Sequence, residues 1–556
     1  MKRRFQDTLN WLDDNILFIL ATFLLLLIPL WPKIPLADLI PGYIVRLRLE
    51  DIIVFITFII YLIWVWRGKI SWKMPTWQLI FACIALGAMS ILSGIFVLDT
   101  IPLEGMVHVS KSVLHWARYV EYFFLSFLFF STLKTKKQFK IILTSILIVV
   151  SGVSIYGMGQ KYLYWPLYST MNREFSKGMR LYLTPHARVQ STFGGHYDFA
   201  AYLVLMLPLT LIIAWHAPKR WQKALAWLTH ILGLWAIIAS AARTSILAYF
   251  AAATILFTIN IFANKELKLG AKIGRFIGQQ FFYYCLVGLL IFNFGQDMIE
   301  RFEQSLNSIE VLKVNYERFK AFRGQMTAMF HFEEIKPPEN SVAVNIDSYG
   351  NNVAVNTQTA DSNVLTPTDS RPTDNKPADV YVDVPDIKYR QNEKGEMEAY
   401  EATRTWSVNA EKYGLSMAIR FDTLWPNALR ALARNPLLGS GYGTINKGDQ
   451  LDLFTEADST DNNYLRTLGE TGLLGFFTFY GSIIFTLIVA IKQLKNPANR
   501  GLVRWYGYGF IAATIGILIN ALYIDVFAAS KVAFSFWMLY GIFWASQKLE
   551  KQKADL

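Results

Sequence analysis

The chain has 556 residues, of which 53% are hydrophobic, and its formal net charge is +12. Lysine and arginine are spread over short segments along the whole chain, whereas a nucleic-acid-binding surface concentrates them on one soluble domain, so we expect no nucleic-acid partner. The two cysteines, Cys83 and Cys285, both lie inside apolar stretches, which argues against a disulfide framework or a zinc site. No Walker-type phosphate loop occurs, so nothing predicts that the chain itself consumes ATP.

Apolar stretches with few charges dominate the sequence. Most are about 16 to 21 residues long, and at a rise of about 1.5 Å per residue that length suits a hydrocarbon core of about 30 Å. We predict an all-α polytopic membrane protein with about twelve transmembrane helices, and we expect the two shortest stretches to extend further. The predicted spans cover residues 15–31, 51–66, 77–97, 113–133, 141–158, 199–215, 224–240, 246–262, 281–294, 472–491, 505–523 and 532–545.

The basic segments of the chain predict its orientation. If the twelve spans alternate in direction, all of these segments fall on one side of the membrane, which the positive-inside rule identifies as the cytoplasm. Both termini are then cytoplasmic, and the largest loop lies on the outer side of the membrane. The basic segments are residues 1–5, 67–73, 134–140, 219–223, 265–275, 492–504 and 548–553.

One external loop, residues 295–471, separates a membrane region of nine spans (1–294) from one of three spans with a cytoplasmic tail (472–556). Its middle, 336–379, has almost no large apolar residues and is predicted to be disordered. The flanking sections, 300–332 and 396–434, have helical patterns. Asn435-Pro436 ends the second section, and the glycines of 439–443 predict a turn. These glycines do not predict a dinucleotide site, because such a site needs a preceding strand and a following helix.

Two arginines stand at the mouths of predicted spans. Arg188 precedes a segment of small residues and the sixth span, and Arg243 lies in the turn 240–245 before the eighth. An arginine at membrane depth is costly unless it is paired, snorkels to the interface or lines a watery cavity. A guanidinium also matches phosphate oxygens bidentately, and a helix amino terminus favours anions. We therefore predict that both arginines converge on one anionic group, with snorkelling as the alternative for Arg243.

Other polar residues near the predicted spans have open alternatives. Arg118 and Glu121 are three positions apart in the fourth span, and they are either a self-compensating pair or lining charges of a substrate groove. His196 is equally consistent with a base, a ligand contact and a hydrogen-bonded structural residue.

The string 459–475 is the most specific part of the sequence. Asp461 in this string either caps the following helix or accepts a proton from a substrate. Capping alone does not require Asn462, Arg466 and Glu470 as well.

These features resemble the O-antigen ligase and O-antigen polymerase superfamily. The resemblance covers most of the chain: about twelve spans, a large external loop before a late span, and four local motifs in a fixed order. The motifs are Arg188…Phe193-Gly194…Asp198…Ala201-Tyr202-Leu203…Pro208, Ser240-Ala241-Ala242-Arg243, Asn435-Pro436-Leu437-Leu438-Gly439-Ser440-Gly441 and Asp461-Asn462…Tyr464-Leu465…Leu468…Glu470-Thr471-Gly472.

The resemblance implies a glycosyltransferase that takes a lipid diphosphate-linked glycan on the outer face of the membrane and uses neither a metal nor a nucleotide cofactor. It implies that Arg188 and Arg243 hold the diphosphate. Ligases of the superfamily carry a histidine where this chain has Asp461, and this departure favours the polymerase-like members.

A mechanism then follows from the groups. The polyprenyl diphosphate leaves readily if arginines neutralise its charge, and a glycan or lipid acceptor needs a proton acceptor for its hydroxyl. Asp461 is the first candidate base, with Glu470 and Asp198 behind it. Further substrate-binding candidates are His196, Asn462, Arg466 and Arg118.

Three aromatic residues of the external loop, Trp406, Tyr413 and Trp425, are candidates for stacking on sugars or for the core of the loop itself. Two other functions stay open. A transporter of lipid-linked glycan would show internal repeats. A non-enzymatic envelope assembly protein would tolerate loss of both arginines.

Overall fold

A computed structural model of the protein describes residues 2–40, 46–103, 106–171, 175–183, 187–263, 267–299, 344–346, 352–354, 387–391, 397–401, 419–445, 459–494 and 501–554. Long helices dominate these residues and confirm the all-α polytopic class. They are α1 (Lys2–Leu30), α2 (Leu49–Trp66), α3 (Trp77–Phe96), α4 (Val107–Thr132), α5 (Lys136–Leu163), α6 (His196–His216), α7 (Arg220–Ala239), α8 (Arg243–Phe262), α9 (Leu269–Phe294), α10 (Trp425–Arg434), α11 (Asn463–Leu494), α12 (Leu502–Asn520) and α13 (Ser530–Ala554).

Ten helices in the described part of the chain are long and apolar enough to cross a membrane. They are α1 to α3, α5 to α9, α11 and α12. The helices α4 and α13 coincide with the predicted spans 113–133 and 532–545 but are not among the ten. The count of twelve spans therefore stays a prediction. Both short stretches extend as expected, because α9 begins at Leu269 and α13 continues to Ala554.

The helix α6 lies at the centre of the bundle. It packs against α7, α8 and α12, and 83% of its membrane-spanning window is buried, whereas only 11% of the window in α9 is. A helix that is apolar all round is stable only when other helices surround it, which is the case for α6. A second buried pair, α4 with α13, packs beside it. The segment that leads into α6 is therefore positioned from several sides.

The helix ends that the sequence places outside lie together, and we call this side the loop face. The ammonium group of Lys531 in α13 donates to the carbonyl oxygen of Trp31, after α1, and to that of Thr192, before α6, at 2.5 and 2.7 Å. At the opposite side, the basic face, Arg67 pairs with Asp13 at 2.8 Å. The structure thus separates the two sets of loops as predicted, while their assignment to the two sides of the membrane stays a prediction.

In the part of the chain that the structure describes, three two-stranded antiparallel pairs accompany the helices. The strands β1 (Pro35–Asp38) and β2 (Arg46–Arg48) pair on the loop face between α1 and α2. Within the external loop, β3 (Val344–Ile346) pairs with β4 (Asn352–Ala354), and β5 (Ile387–Gln391) pairs with β6 (Met397–Glu401).

One prediction about the external loop is wrong where these strands lie. The helical section expected over 396–434 begins instead with β6, which pairs with β5. The segment 336–379 was expected to be disordered; of its residues only β3 and β4 are described, so that expectation stays a prediction. The predicted entry helix 300–332 lies outside the described residues.

Candidate active site on the loop face

The loop face is built around a break in α11. Gly472 interrupts this helix with φ +64° and ψ −169°. The backbone of Pro436 and Leu437 enters the break, and their carbonyl oxygens accept from the N–H groups of Leu473 and Leu474 at 2.8 and 3.2 Å. A Cβ on Gly472 would lie 2.4 Å from the carbonyl of Leu437, so only glycine fits. Two motifs separated in sequence thereby form one rigid support.

The amino terminus of α11 is capped by Asn462. Its side-chain oxygen accepts from the backbone N–H groups of Tyr464 and Leu465, both at 3.1 Å, which satisfies two of the orphan donors of the first turn. Capping was the alternative role considered for Asp461. Asp461 precedes the cap, in the left-handed region with φ +48°, a conformation that aspartate tolerates better than most residues.

A network around Asp525 fixes the segment before α11. Asp525 lies in the turn between α12 and α13, and its carboxylate accepts from the backbone N–H groups of Thr460 and Asn462 at 3.0 and 3.1 Å. The hydroxyl groups of Ser459 and Thr460 also donate to it, both at 2.9 Å. Arg466 completes the network with an ion pair to Asp525 at 3.0 Å. One carboxylate therefore positions the whole approach to Asp461.

Glu470 belongs to the same network. Its carboxylate lies 3.3 Å from Nε of Arg466 and accepts from the backbone N–H of Gly443 at 3.1 Å. Glu470 is 2% exposed. These contacts tie α11 to the glycine turn, and they engage the carboxylate that was the second candidate base.

Arg188 is held beside the amino terminus of α6. The backbone N–H of Val189 donates to the carbonyl oxygen of Ala239 at 3.1 Å, which ties this segment to the end of α7. The guanidinium contacts Nε2 of His196 and donates to the hydroxyl of Tyr197 at 3.3 Å. Because arginine has no acceptor, Nε2 of His196 must be the acceptor, so this nitrogen cannot carry a proton while the contact exists.

Arg243 and Arg420 complete what we call the arginine cluster, together with Arg188 and Asp461. Arg243 is the first residue of α8 and interacts electrostatically with Arg188, Arg420 and Tyr197. Arg420 lies in a five-residue π-helical turn before α10 and pairs with Asp461 at 2.9 Å. The predicted convergence of Arg188 and Arg243 is thus present in the structure, with a third arginine and a carboxylate beside them.

The backbone strengthens the positive potential of this cluster. The helices α6, α8 and α11 all begin on the loop face, and each directs the positive end of its dipole there. Hydrogen-bond donors in fixed positions stabilise an anion better than mobile ones, because they need no reorganisation when charge develops. The cluster is therefore chemically suited to a phosphate or diphosphate group.

Asp198 lies in a second charged group, next to α1 and β2. Its carboxylate is 3.9 Å from Nζ of Lys33 and is one-quarter exposed. Burial, and to a lesser degree the nearby Arg48, lowers the pKa of Lys33 to about 8, although Asp198 and Glu50 oppose this change. Arg48 is itself buried, and burial lowers its pKa despite the proximity of Glu50. Asp198, the third candidate base, is thus engaged by Lys33.

Arg118 also lies outside the arginine cluster, and it interacts electrostatically with Lys33 and Arg48 of the second charged group. It bonds to the carboxylate of Asp51 in α2 and pairs with Glu121 at 2.9 Å. The intrahelical pair considered from the sequence is present, and a second carboxylate from α2 joins it. Both acids partly neutralise a guanidinium that is largely buried.

Sequence reasoning overlooked two residues of this site, Arg420 and Asp525. Nothing in the sequence distinguished Arg420, because an arginine in a charged external segment is ordinary. The sequence did offer an indication for Asp525. It is a lone acid between two long apolar stretches, where an unpaired carboxylate would be costly. Of the three candidate stacking residues, Trp425 contacts the ring of Phe421 at 4.6 Å, and the other two lie outside the described residues.

The fold and the site define a class: a polytopic membrane protein that gathers arginines and a carboxylate at the ends of its helices on one face. Residues 228–480 match the family Wzy_C, described as O-antigen ligase. The match runs from α7 into α11 and includes Arg243, Arg420 and Asp461 but not Arg188 or Asp525. Residues 228–480 are therefore similar to the O-antigen ligase family, in agreement with the resemblance that the motifs carry. Among curated proteins, none matches the chain.

Proposed function

We propose that the protein is a glycosyltransferase that transfers a polyprenyl diphosphate-linked glycan to an acceptor hydroxyl on the outer face of the bacterial cell membrane. The superfamily supports a membrane role in glycan ligation or polymerisation. The observation that carries the specific proposal is the arginine cluster, in which Arg243 interacts with Arg188 and Arg420, and Arg420 pairs with Asp461, at the amino ends of α6, α8 and α11.

In the proposed reaction, Arg188 and Arg243 bind the diphosphate of the donor. The acceptor oxygen attacks the anomeric carbon, the bond from that carbon to the phosphate oxygen breaks, and the electron pair leaves with the polyprenyl diphosphate. Two arginines near the leaving group stabilise the negative charge that develops on it. Attack opposite the leaving group inverts the configuration at the anomeric carbon.

Asp461 accepts the proton of the acceptor hydroxyl. It is one-third exposed and stands at the edge of the arginine cluster, whereas Glu470 is almost fully buried and Asp198 lies in another charged group, beside Lys33. Arg420 restrains the carboxylate of Asp461, and a bound diphosphate offers Arg420 a second anion. Binding of the donor therefore favours release of Asp461 for proton transfer.

Polymerisation is the form of transfer that we favour, because aspartate occupies the position where ligases resembling this chain carry histidine. The acceptor is then the growing glycan itself. We propose no metal or nucleotide in the reaction.

The deciding experiment reconstitutes the protein in liposomes with lipid-linked glycan isolated from cells that lack it. A transferase releases one polyprenyl diphosphate for each glycan joined, so both products are expected in equal amounts. A transporter would move the glycan to the other leaflet and release no polyprenyl diphosphate. Translocation without release would overturn the proposal, and neither process would favour an assembly role.

A further inference from the structure

An apolar groove with a basic rim opens on the basic face, far from the arginine cluster. It lies between the start of α5, the end of α6 and the starts of α7 and α12 and encloses about 300 Å³. This volume is twice that of an engineered cavity of about 150 Å³ that holds a benzene molecule. Apolar side chains from four helices line it, among them Leu143, Leu147, Ile212, Ile213, Leu225 and Leu502.

Two lysines stand at the rim of this groove, Lys140 from α5 and Lys219 immediately before α7. Both are exposed. Over the stretches that the structure describes, no acidic residue lines the groove, and neither ammonium group forms an ion pair. The two charges are therefore available to one ligand at the mouth of an apolar slot.

Tryptophans mark the level of the rim. Trp221 is 60% exposed, and Trp505 stacks on His216 with the rings 4.5 Å apart and 11° from parallel. Tryptophan is enriched where hydrocarbon meets the headgroups, so the two lysines lie at headgroup depth while the groove extends into the hydrocarbon. Basic pockets between helices on the cytoplasmic side are known to bind anionic headgroups.

We propose that this groove binds one anionic phospholipid of the phosphatidylglycerol type. One acyl chain lies between α5 and α6, against Leu147 and Ile213, and the phosphate lies at Lys140 and Lys219. Lipid binding in this groove does not depend on the transfer reaction or on the substrate that the loop face binds.

The protein contains its own control groove. A second cavity of about 480 Å³ opens on the same face between the ends of α6 to α9 and has similar apolar walls, including Trp215, Phe257 and Phe282. Among the residues that the structure describes, Arg275 is the one cation that lines it. Comparing lipid binding at the two grooves distinguishes general attraction of an anionic lipid to positive charge from specific binding by the lysine pair.

The test is lipid binding by the full-length, delipidated protein in neutral detergent, measured by native mass spectrometry with phosphatidylglycerol and phosphatidylcholine in competition. We expect a preference for phosphatidylglycerol that falls by roughly 30-fold in the Lys140→Gln/Lys219→Gln variant, since each lysine near the surface contributes about 1 kcal/mol. Arg275→Gln should leave most of the preference. Equal loss in both variants, or no preference in the unmodified protein, would overturn the proposal.

A steric variant tests the groove itself. Ile213→Trp fills the slot and keeps both lysines, so tight retention of phosphatidylglycerol should be lost although the surface charge is unchanged. Retention at full strength would mean that the lipid is only attracted electrostatically, and the groove proposal would fail. Thermal unfolding of each variant establishes that it is folded, and Lys219→Gln alone replaces the double variant if that one is unstable.

Discussion

The arginine cluster and the Asp525 network lie side by side on the loop face, and they are built in opposite ways. In the network, two carboxylates, Asp525 and Glu470, flank one arginine, and both Asp525 and Arg466 are less than one-tenth exposed. In the cluster, Arg243 interacts electrostatically with Arg188 and Arg420, and Arg420 pairs with the carboxylate of Asp461. The side chains of the Arg420–Asp461 pair are 15% and 33% exposed.

The difference separates a structural role from a binding role. Charges that are buried and paired with one another, as around Asp525, hold a conformation and leave little room for a ligand. Several cations close enough to repel one another at a partly exposed site cost energy, and an anionic ligand offsets that cost. The comparison predicts that changes in the network alter stability, whereas changes in the cluster alter transfer.

The largest expected effect is on stability. Asp525→Ala leaves Arg466 without one carboxylate in a buried site and removes the acceptor of four other donors, so the protein should lose about 3–5 kcal/mol of unfolding free energy. Thermal unfolding of the detergent-solubilised protein measures this loss. Asp525→Asn, which keeps an acceptor of the same size, should lose less. A normal melting temperature for Asp525→Ala would contradict the structural role of the network.

The next effect is on transfer. Arg188→Ala and Arg243→Ala should each lower the rate by about 10²–10³ or abolish it, while the melting temperature changes little. Lysine at either position should rescue only in part, because it lacks the bidentate fork. Arg430→Ala is the matched control, since this arginine is exposed on α10 and bonds to Asn427. Full activity of either alanine variant would exclude the diphosphate clamp.

How far the sequence predicts this molecule depends on the type of signal. The helices were predictable because runs of apolar residues have few stable solutions in a membrane. The convergence of Arg188 and Arg243 was predictable because each arginine stands alone at the mouth of a span. Arg420 was not, since nothing in a charged loop shows which residue folds back to the membrane.

Hydrogen bonds between segments that are distant in the sequence were equally unpredictable. The cap of α11 is Asn462 and not Asp461, because Asp525, more than sixty residues later, holds the backbone N–H of Asn462 and sets where the helix begins. The strand β6 replaced a predicted helix for a similar reason: its partner β5 decides the conformation.

A smaller but sharper effect tests Asp461 itself. Asp461→Asn keeps the size and the tolerance for positive φ but removes the basicity, so transfer should fall by about 10². Because Asn462 supplies the cap, the melting temperature should hardly change. Asp461→His should restore part of the activity at neutral pH or above, where imidazole is mostly unprotonated. A fully active Asp461→Asn protein would transfer the role of base to Glu470 or Asp198.

The smallest expected effect concerns the helix cap next to Asp461. It distinguishes a role of Asn462 in positioning Asp461 from direct contact of Asn462 with the substrate. Asn462→Ala removes the acceptor for Tyr464 and Leu465 and should cost about 1 kcal/mol of stability. Asn462→Ser keeps a capping oxygen and should restore most of that loss. Transfer by the alanine variant should fall less than in Asp461→Asn, because Arg420 and Ser459 still hold Asp461 in place. If the serine variant is stable but as inactive as Asp461→Asn, then the amide of Asn462 contacts the substrate, and the border between network and cluster lies one residue further into α11.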